Sequence, residues 1–204
     1  MSFEQGIFYV IVLIASVVIH EVAHGYAADA LGDRTARYAG RLTINPVPHL
    51  DIFGSIILPL ILVVSGAPFL VGWAKPVPFN MANISNKRWG PALIALAGPA
   101  ANIALALIFA GILAFGGGVP GLAGMMDIFY MVVVVNVVLV FFNLIPIPPL
   151  DGHHVLFSIL SGPQYANLKH IMRQHQFVLI LLALFVIWPA LEPAMRFVIS
   201  LLVP

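Results

Sequence analysis

The sequence contains no cysteine, which excludes disulfide bonds and thiolate metal ligands. Charge is also scarce: 8% of the 204 residues are charged and 61% are hydrophobic, whereas about a quarter of the residues in a soluble domain are charged. The net charge is +1, and the nine Lys and Arg are spread over loops and loop edges, so nothing indicates nucleic-acid binding. We therefore expect an all-α polytopic protein embedded in a lipid bilayer.

Long apolar runs mark the predicted membrane segments. Five runs stand out, at about residues 5–31, 52–72, 91–115, 128–145 and 177–203. Prolines inside the last run leave open whether it forms one helix or two. We therefore predict about five to six membrane segments, with no internal repeat and no soluble second domain.

The distribution of positive charge predicts the orientation of these segments. Basic residues follow the first run and precede the third, so both of these ends are expected in the cytoplasm. The turn at 116–127 has no Lys or Arg and is expected outside. Residues 52–90 must then enter and leave on one face, as a short helix followed by a β-like re-entrant loop at 66–79. A full span at 52–72, and a simple surface loop in place of the re-entrant one, remain as alternatives.

The sequence HEVAH places two histidines and a glutamate inside the first apolar run. His20 and His24 are four residues apart, so on a helix they share one face and can bind the same ion. Glu21 lies beside that ion and can take a proton from water. Ionisable residues are costly in lipid and mark function there, so we favour a zinc site over a pair of packed polar residues.

A catalytic zinc site needs a third protein ligand and one open position. Asp151 is the candidate, because it ends the sequence NLIPIPPLD directly after the fourth apolar run, where prolines keep the chain extended. Aspartate is also a favoured helix N-cap, and DGHH can begin a helix. The spacing by itself leaves both interpretations open.

Several segments together resemble the site-2 protease family of intramembrane zinc metalloproteases. The matching segments are HEVAHG, GPAAN at 98–102, NLIPIPPLDG at 143–152 and, as in small prokaryotic members, GWAKPVPFN at 72–80. The resemblance implies one Zn²⁺ per chain, with the histidines of HEVAH and the aspartate of LDG as ligands.

In this chain the implied ligands are His20, His24 and Asp151, and Glu21 is the implied general base. Asn143 matches a family asparagine that contacts the substrate or the developing oxyanion. Asn102, on the neighbouring span, is expected to do likewise.

The resemblance implies an intramembrane zinc metalloendopeptidase of the cell membrane, with its active site nearer the cytoplasmic face. Its substrates would be membrane-spanning proteins or peptides. We expect one domain over residues 1–204, a catalytic core at about 5–160 and C-terminal helices at 177–203. A membrane metal-binding or transport protein and an inactive relative remain as alternatives, and the oligomeric state is left open. His153 and His154 are expected to be a surface pair at a helix start rather than additional ligands.

Overall fold

Helices dominate the computed structural model, which describes residues 3–66, 72–116, 119 and 121–203. The protein is 74% helical, and the described residues contain no strand. Its described α-helices are α1 (Phe3–Ala30), α2 (Thr35–Tyr38), α3 (Leu58–Val64), α4 (Gly90–Phe115), α5 (Met126–Asn143), α6 (Gly152–Ile159), α7 (Ala166–Gln174), α8 (Gln176–Leu182) and α9 (Trp188–Leu202). Shorter turns complete the described helical structure, as 3₁₀ turns at Val47–His49, Ala123–Met125 and Pro163–Tyr165 and π-helical turns at Ile52–Ile57 and Ala183–Ile187.

Four helices of the described chain are long and apolar enough to cross a membrane, and one shorter apolar helix accompanies them. The four are Glu4–Ala30, Gly90–Phe115, Ala123–Asn143 and Gln176–Leu202, and the shorter one is Ile52–Val64. Large apolar side chains face outward, with Phe185 75% and Phe197 63% exposed, as expected for surfaces in contact with lipid. The predicted all-α polytopic membrane fold is confirmed.

The last apolar run is one continuous helix from Gln176 to Leu202 rather than two helices. Pro189 lies in the first turn of α9, directly after the π-helical turn Ala183–Ile187. In a regular α-helix its ring would clash with the carbonyl group of Phe185, four residues earlier. The wider π-helical turn lies at that carbonyl and gives the ring room, so the helix continues past the proline.

The segment between α2 and α4 folds back, so that its later part lies beside its earlier part. Ile52–Val64 combines a π-helical turn of six residues with the seven residues of α3, and it is about 20 Å long, too short for a hydrocarbon core of about 30 Å. The returning chain bonds to its own start. The Trp73 N–H donates to the Gly54 carbonyl group (3.1 Å), and the Ser55 hydroxyl donates to the Trp73 carbonyl group (2.7 Å). These contacts favour re-entry over a full span.

Residues 72–80 are extended but form no strand within the described chain, and residues 67–71 of the predicted β-like loop lie outside the described residues. The backbone N–H groups of Trp73, Lys75 and Val77 all donate to acceptors within the protein. This alternation is typical of an extended chain. The edge that carries these three N–H groups is therefore bonded to the protein. Elsewhere in the segment the Pro76 carbonyl accepts from Arg41 (3.3 Å), and the Asn80 N–H donates to Asp33.

Helix α4 packs against α1, α5 and α6 and so joins the segments that carry the predicted site. Its buried face carries small residues, Gly98, Ala106 and Ala110, spaced one or two turns apart, with Asn102 between them. Small residues let helices approach closely in lipid, where packing rather than hydrophobicity drives association. The close packing brings GPAAN on α4 against HEVAH on α1 and against the start of α6.

Candidate metal centre

The three predicted metal ligands meet where α1, α4 and α6 pack together. His20 and His24 are buried on α1, and Asp151 lies at the start of α6. Oδ2 of Asp151 is 3.0 Å from Nε2 of His20 and 3.2 Å from Nε2 of His24, and the two Nε2 atoms are 2.9 Å apart. Within the described residues, this is the only group of three or more His, Cys, Asp or Glu that could hold a metal ion.

Hydrogen bonds determine which nitrogen of each imidazole carries a proton. Nδ1 of His24 lies 2.6 Å from the carbonyl oxygen of Ile94, which can only accept, so this nitrogen is protonated. Nδ1 of His20 lies 2.5 Å from Oδ1 of Asn102, and Nδ2 of Asn102 donates to Oδ1 of Asn136 (2.7 Å). Asn102 therefore presents an acceptor to His20, and both Nε2 atoms carry lone pairs.

Asn136 anchors this network from α5. Its Nδ2 donates to the Val132 carbonyl group (2.8 Å) and to the hydroxyl of Ser16 (3.0 Å), which determines the orientation of its amide. Both Asn102 and Asn136 are fully buried. Neither Asn136 nor Ser16 was identified from the sequence. A signal was present, because Asn136 is a lone polar residue in the apolar run VVVVNVVLV, and polar residues inside membrane helices are rarely without a role.

The donor set fits a bound metal ion. Two imidazole lone pairs and a carboxylate oxygen at 2.9–3.2 Å repel one another unless a cation lies among them. Oδ2 of Asp151 is buried without a hydrogen-bond partner, which is costly for a charged group. Ligands of tetrahedral zinc are about 3.3 Å apart, since each lies 2.0–2.1 Å from the ion. Three ligands leave a fourth position open, as in catalytic zinc sites.

Asp151 occupies the N-cap position of α6, but its side chain makes no capping hydrogen bond. The carboxylate is turned toward the two histidines instead. Its Oδ2 faces the Nε2 atoms of both imidazoles, and the ionised carboxylate is the form that metal binding requires.

Gly98 forms the surface on which both imidazole rings lie. A Cβ at this position would be 2.6 Å from Cε1 and Nε2 of His20 and 2.6 Å from Cε1 of His24. Carbon atoms do not pack at such distances. Because glycine has no side chain, the rings can reach α4 and make their hydrogen bonds to Ile94 and Asn102. The glycine of GPAAN thus makes room for the metal-ligand cluster.

We expect Gly98→Ala to weaken zinc binding by at least about tenfold, because the methyl group would displace imidazoles that hydrogen bonds hold in place. Titration of metal-free protein with zinc would measure the affinity. Gly111→Ala is the matched control, since it lies in the same helix with nothing within 4 Å of its Cβ position. Wild-type affinity in both variants would show that Gly98 does not position the ligands.

Glu21 and Asn143 lie outside this group of three ligands. Glu21 is half-buried, and its Oε2 accepts a hydrogen bond from the Val77 N–H (2.8 Å), so the carboxylate is turned toward the extended segment 72–80. Asn143 ends α5, and its Nδ2 donates to the Leu139 carbonyl group (3.0 Å) of the same helix. The catalytic roles of both residues remain predictions.

The histidine pair that follows Asp151 does not join the ligand group. His153 is buried, with Nδ1 2.6 Å from the Leu150 carbonyl oxygen, so it is not the surface residue that the sequence predicted. Burial lowers the pKa of His153. Burial, with the neighbouring His153 and Arg173, lowers the pKa of His154 to about 4. Both imidazoles are therefore neutral at pH 7.

Fold and site together define a class of protein. It is a multi-pass helical membrane protein in which two histidines of a membrane helix and one distant aspartate lie together as a group that could hold a metal ion. Glu21 directly follows His20 on the same helix. Such a donor set is typical of zinc-dependent hydrolases.

Comparison with known proteins assigns the family. The model of peptidase family M50 matches residues 8–123 and 121–183, and the chain therefore belongs to peptidase family M50, the site-2 protease family. It is 36% identical to "Putative zinc metalloprotease YwhC" of Bacillus subtilis over 197 residues, which cover 91% of this chain and 86% of that relative. It is 29% identical to "Putative zinc metalloprotease Rip2" of Mycolicibacterium smegmatis over 198 residues, which cover 92% of this chain and 70% of the relative. None of the solved structures matches the chain significantly.

Proposed function

We propose that this protein is an intramembrane zinc metalloendopeptidase that hydrolyses peptide bonds of membrane-spanning substrates. The observation that carries the proposal is the convergence of His20, His24 and Asp151, with lone pairs and a carboxylate oxygen no more than 3.2 Å apart. These residues would hold one zinc ion per chain. All three belong to the proposed catalytic core at about 5–160, and the C-terminal helices at 177–203 lie outside it.

Glu21 is proposed as the general base. When bound, zinc lowers the pKa of water toward about 7 and polarises a peptide carbonyl group. Glu21 accepts the proton of the attacking water and delivers it to the departing amine. The hydrogen bond from the Val77 N–H holds Oε2 of Glu21, so Oε1 is the oxygen that we assign to the proton.

The two predicted asparagines are proposed to differ in role. Both halves of the Asn102 amide are bonded inside the protein, to His20 and to Asn136, so Asn102 is a positioning residue for a metal ligand rather than a substrate contact. Asn143 remains the candidate for the substrate or oxyanion contact. Its bond to Leu139 uses one N–H of its amide, and the second N–H can donate to a carbonyl oxygen.

The extended segment 72–80 is proposed to hold the substrate. A helical substrate bonds its own backbone groups, so it must be extended before its carbonyl can be attacked. The alternate residues Ala74, Pro76 and Pro78 form the other edge of the segment, and proline has no N–H. The Pro76 carbonyl already accepts from Arg41, so the carbonyls of Ala74 and Pro78 are the ones that would accept from the N–H groups of an added strand beside Glu21.

The cytoplasmic face is proposed as the side from which the site is reached. His24 is about 9 Å from the end of α1 by helical rise. The chain that follows this end carries Arg34, Arg37 and Arg41, and an excess of positive charge marks cytoplasmic loops. A substrate of the cell membrane would then be cut near its cytoplasmic end.

Metal removal tests the proposed function directly. Purified protein in lipid vesicles with a fluorogenic single-span substrate is expected to lose cleavage on treatment with a chelator and to regain it with added zinc. Zinc entry into the same vesicles, measured with an internal dye, serves as the readout for transport. Zinc flux without cleavage would support a transporter instead, and zinc-loaded protein with neither activity would indicate an inactive relative.

A further inference from the structure

The tertiary structure gathers four of the nine basic residues around one groove of about 480 Å³. Lys87 and Arg88 come from the loop before α4, and Lys169 and Arg173 come from α7. The groove lies between that loop and the α6–α7 region. The expectation that the cations are dispersed is therefore wrong for this face of the protein, because residues far apart in sequence converge there.

These four cations have no acidic partner in the part of the chain that the structure describes, where the ion pairs of Lys and Arg involve other residues. The ammonium group of Lys87 donates to the backbone carbonyls of Met81 and Ala82, and that of Lys169 donates to the carbonyl of Phe157. Neutral carbonyls leave the positive charge in place. The groove is therefore complementary in charge to an anion.

The surroundings of the groove are typical of a membrane surface. Trp89, 42% exposed, directly precedes the membrane helix α4 and stacks with Arg88 (5.3 Å), and tryptophan is enriched at the headgroup level. Helix α7 exposes Leu168 (42%) and Ile171 (45%) on one side, while Lys169 and Arg173 line the groove on another. An amphipathic helix of this kind lies in the plane of the interface.

We propose that this groove binds the phosphate group of an anionic phospholipid. The four cations supply donors for the phosphate oxygens, and the partly exposed apolar lining residues Met81 and Pro91 contact the glycerol and the first methylene groups. An acidic soluble ligand would need no apolar lining and no position at the headgroup level. The lipid site is separate from the metal ligands and does not depend on hydrolysis.

Lipid retention by the metal-free, full-length protein tests the proposal. The protein is reconstituted in nanodiscs that contain both phosphatidylglycerol and phosphatidylcholine, and bound lipid is counted by native mass spectrometry. We expect wild-type protein to retain phosphatidylglycerol in preference to phosphatidylcholine. Lys169→Gln combined with Arg173→Gln should reduce that preference about thirtyfold, since each cation at an anionic surface contributes a factor of about five to six.

A matched pair outside the groove controls for general surface charge. Arg34→Gln combined with Arg37→Gln also removes two positive charges, from exposed arginines that do not line the groove, and it should retain the preference. The charge-conserving exchange Lys169→Arg with Arg173→Lys should retain it as well. The proposal would be overturned if wild type showed no preference, or if both neutralised pairs lost the preference equally. It would also be overturned if the charge-conserving variant lost the preference, or if glycerol phosphate bound as tightly as the lipid.

Discussion

Glu21→Gln is expected to lose peptide cleavage by about 10²- to 10⁴-fold while it retains zinc, because a general base contributes a factor of that size. The carboxylate of Glu21 is not part of the three-residue ligand group, so its removal should not open the metal site. Glutamine has the same shape and can still accept the hydrogen bond from the Val77 N–H. Only the ability to accept a proton is lost.

Two measurements on the same preparation separate these effects. Zinc content is determined by atomic emission, and cleavage is followed with the vesicle-embedded substrate. Glu4→Gln is the matched control, because it changes an exposed glutamate at the start of the same helix and should leave both values unchanged. Full cleavage by zinc-loaded Glu21→Gln protein would exclude Glu21 as the base.

Asp151→Ala is expected to weaken zinc binding by more than about 100-fold, because loss of a ligand costs more than the 10–100-fold loss caused by second-shell changes. Two histidines would remain, and they cannot complete a catalytic site. Asp151→Asn separates the ligand role from an N-cap role. Asparagine caps helices as well as aspartate does, but it lacks the anionic oxygen that lies 3.0–3.2 Å from the imidazoles.

Zinc titration and thermal unfolding of both Asp151 variants would measure these effects. If Asp151 were only a cap, the asparagine variant would behave like wild type, and the alanine variant would lose about 1 kcal/mol of stability with zinc binding intact. If Asp151 is a zinc ligand, both variants lose zinc binding. Asp127→Ala, an exposed aspartate at the start of α5, is expected to keep wild-type zinc affinity.

Features of short range were predictable from the residues alone. The apolar runs are long enough for a bilayer, and the four-residue spacing of His20 and His24 places both on one helix face, where the structure has them. The zinc-site hypothesis for HEVAH needed only this local geometry and the cost of ionisable groups in lipid.

Features that depend on distant contacts were not predictable in the same way. The spacing around Asp151 suited a cap as well as a ligand, and only the packing of α6 against α4 turned its carboxylate to the histidines. Asn102 was expected at the substrate, but its amide is enclosed between His20 and Asn136. The hydrogen bonds of a buried amide depend on which side chains from other helices meet it, and no local pattern encodes that.

The composition and periodicity of this chain were sufficient to specify a helical membrane protein with two imidazoles on the same face of one helix. Hydropathy and helical repeat are properties of neighbouring residues, so they can be seen in the sequence. The third ligand, the Asn102–Asn136 support and the convergence of four cations on one groove were decided by helix packing. Each of these joins residues that are remote in sequence. The close approach that the small residues of α4 permit is what brings them together.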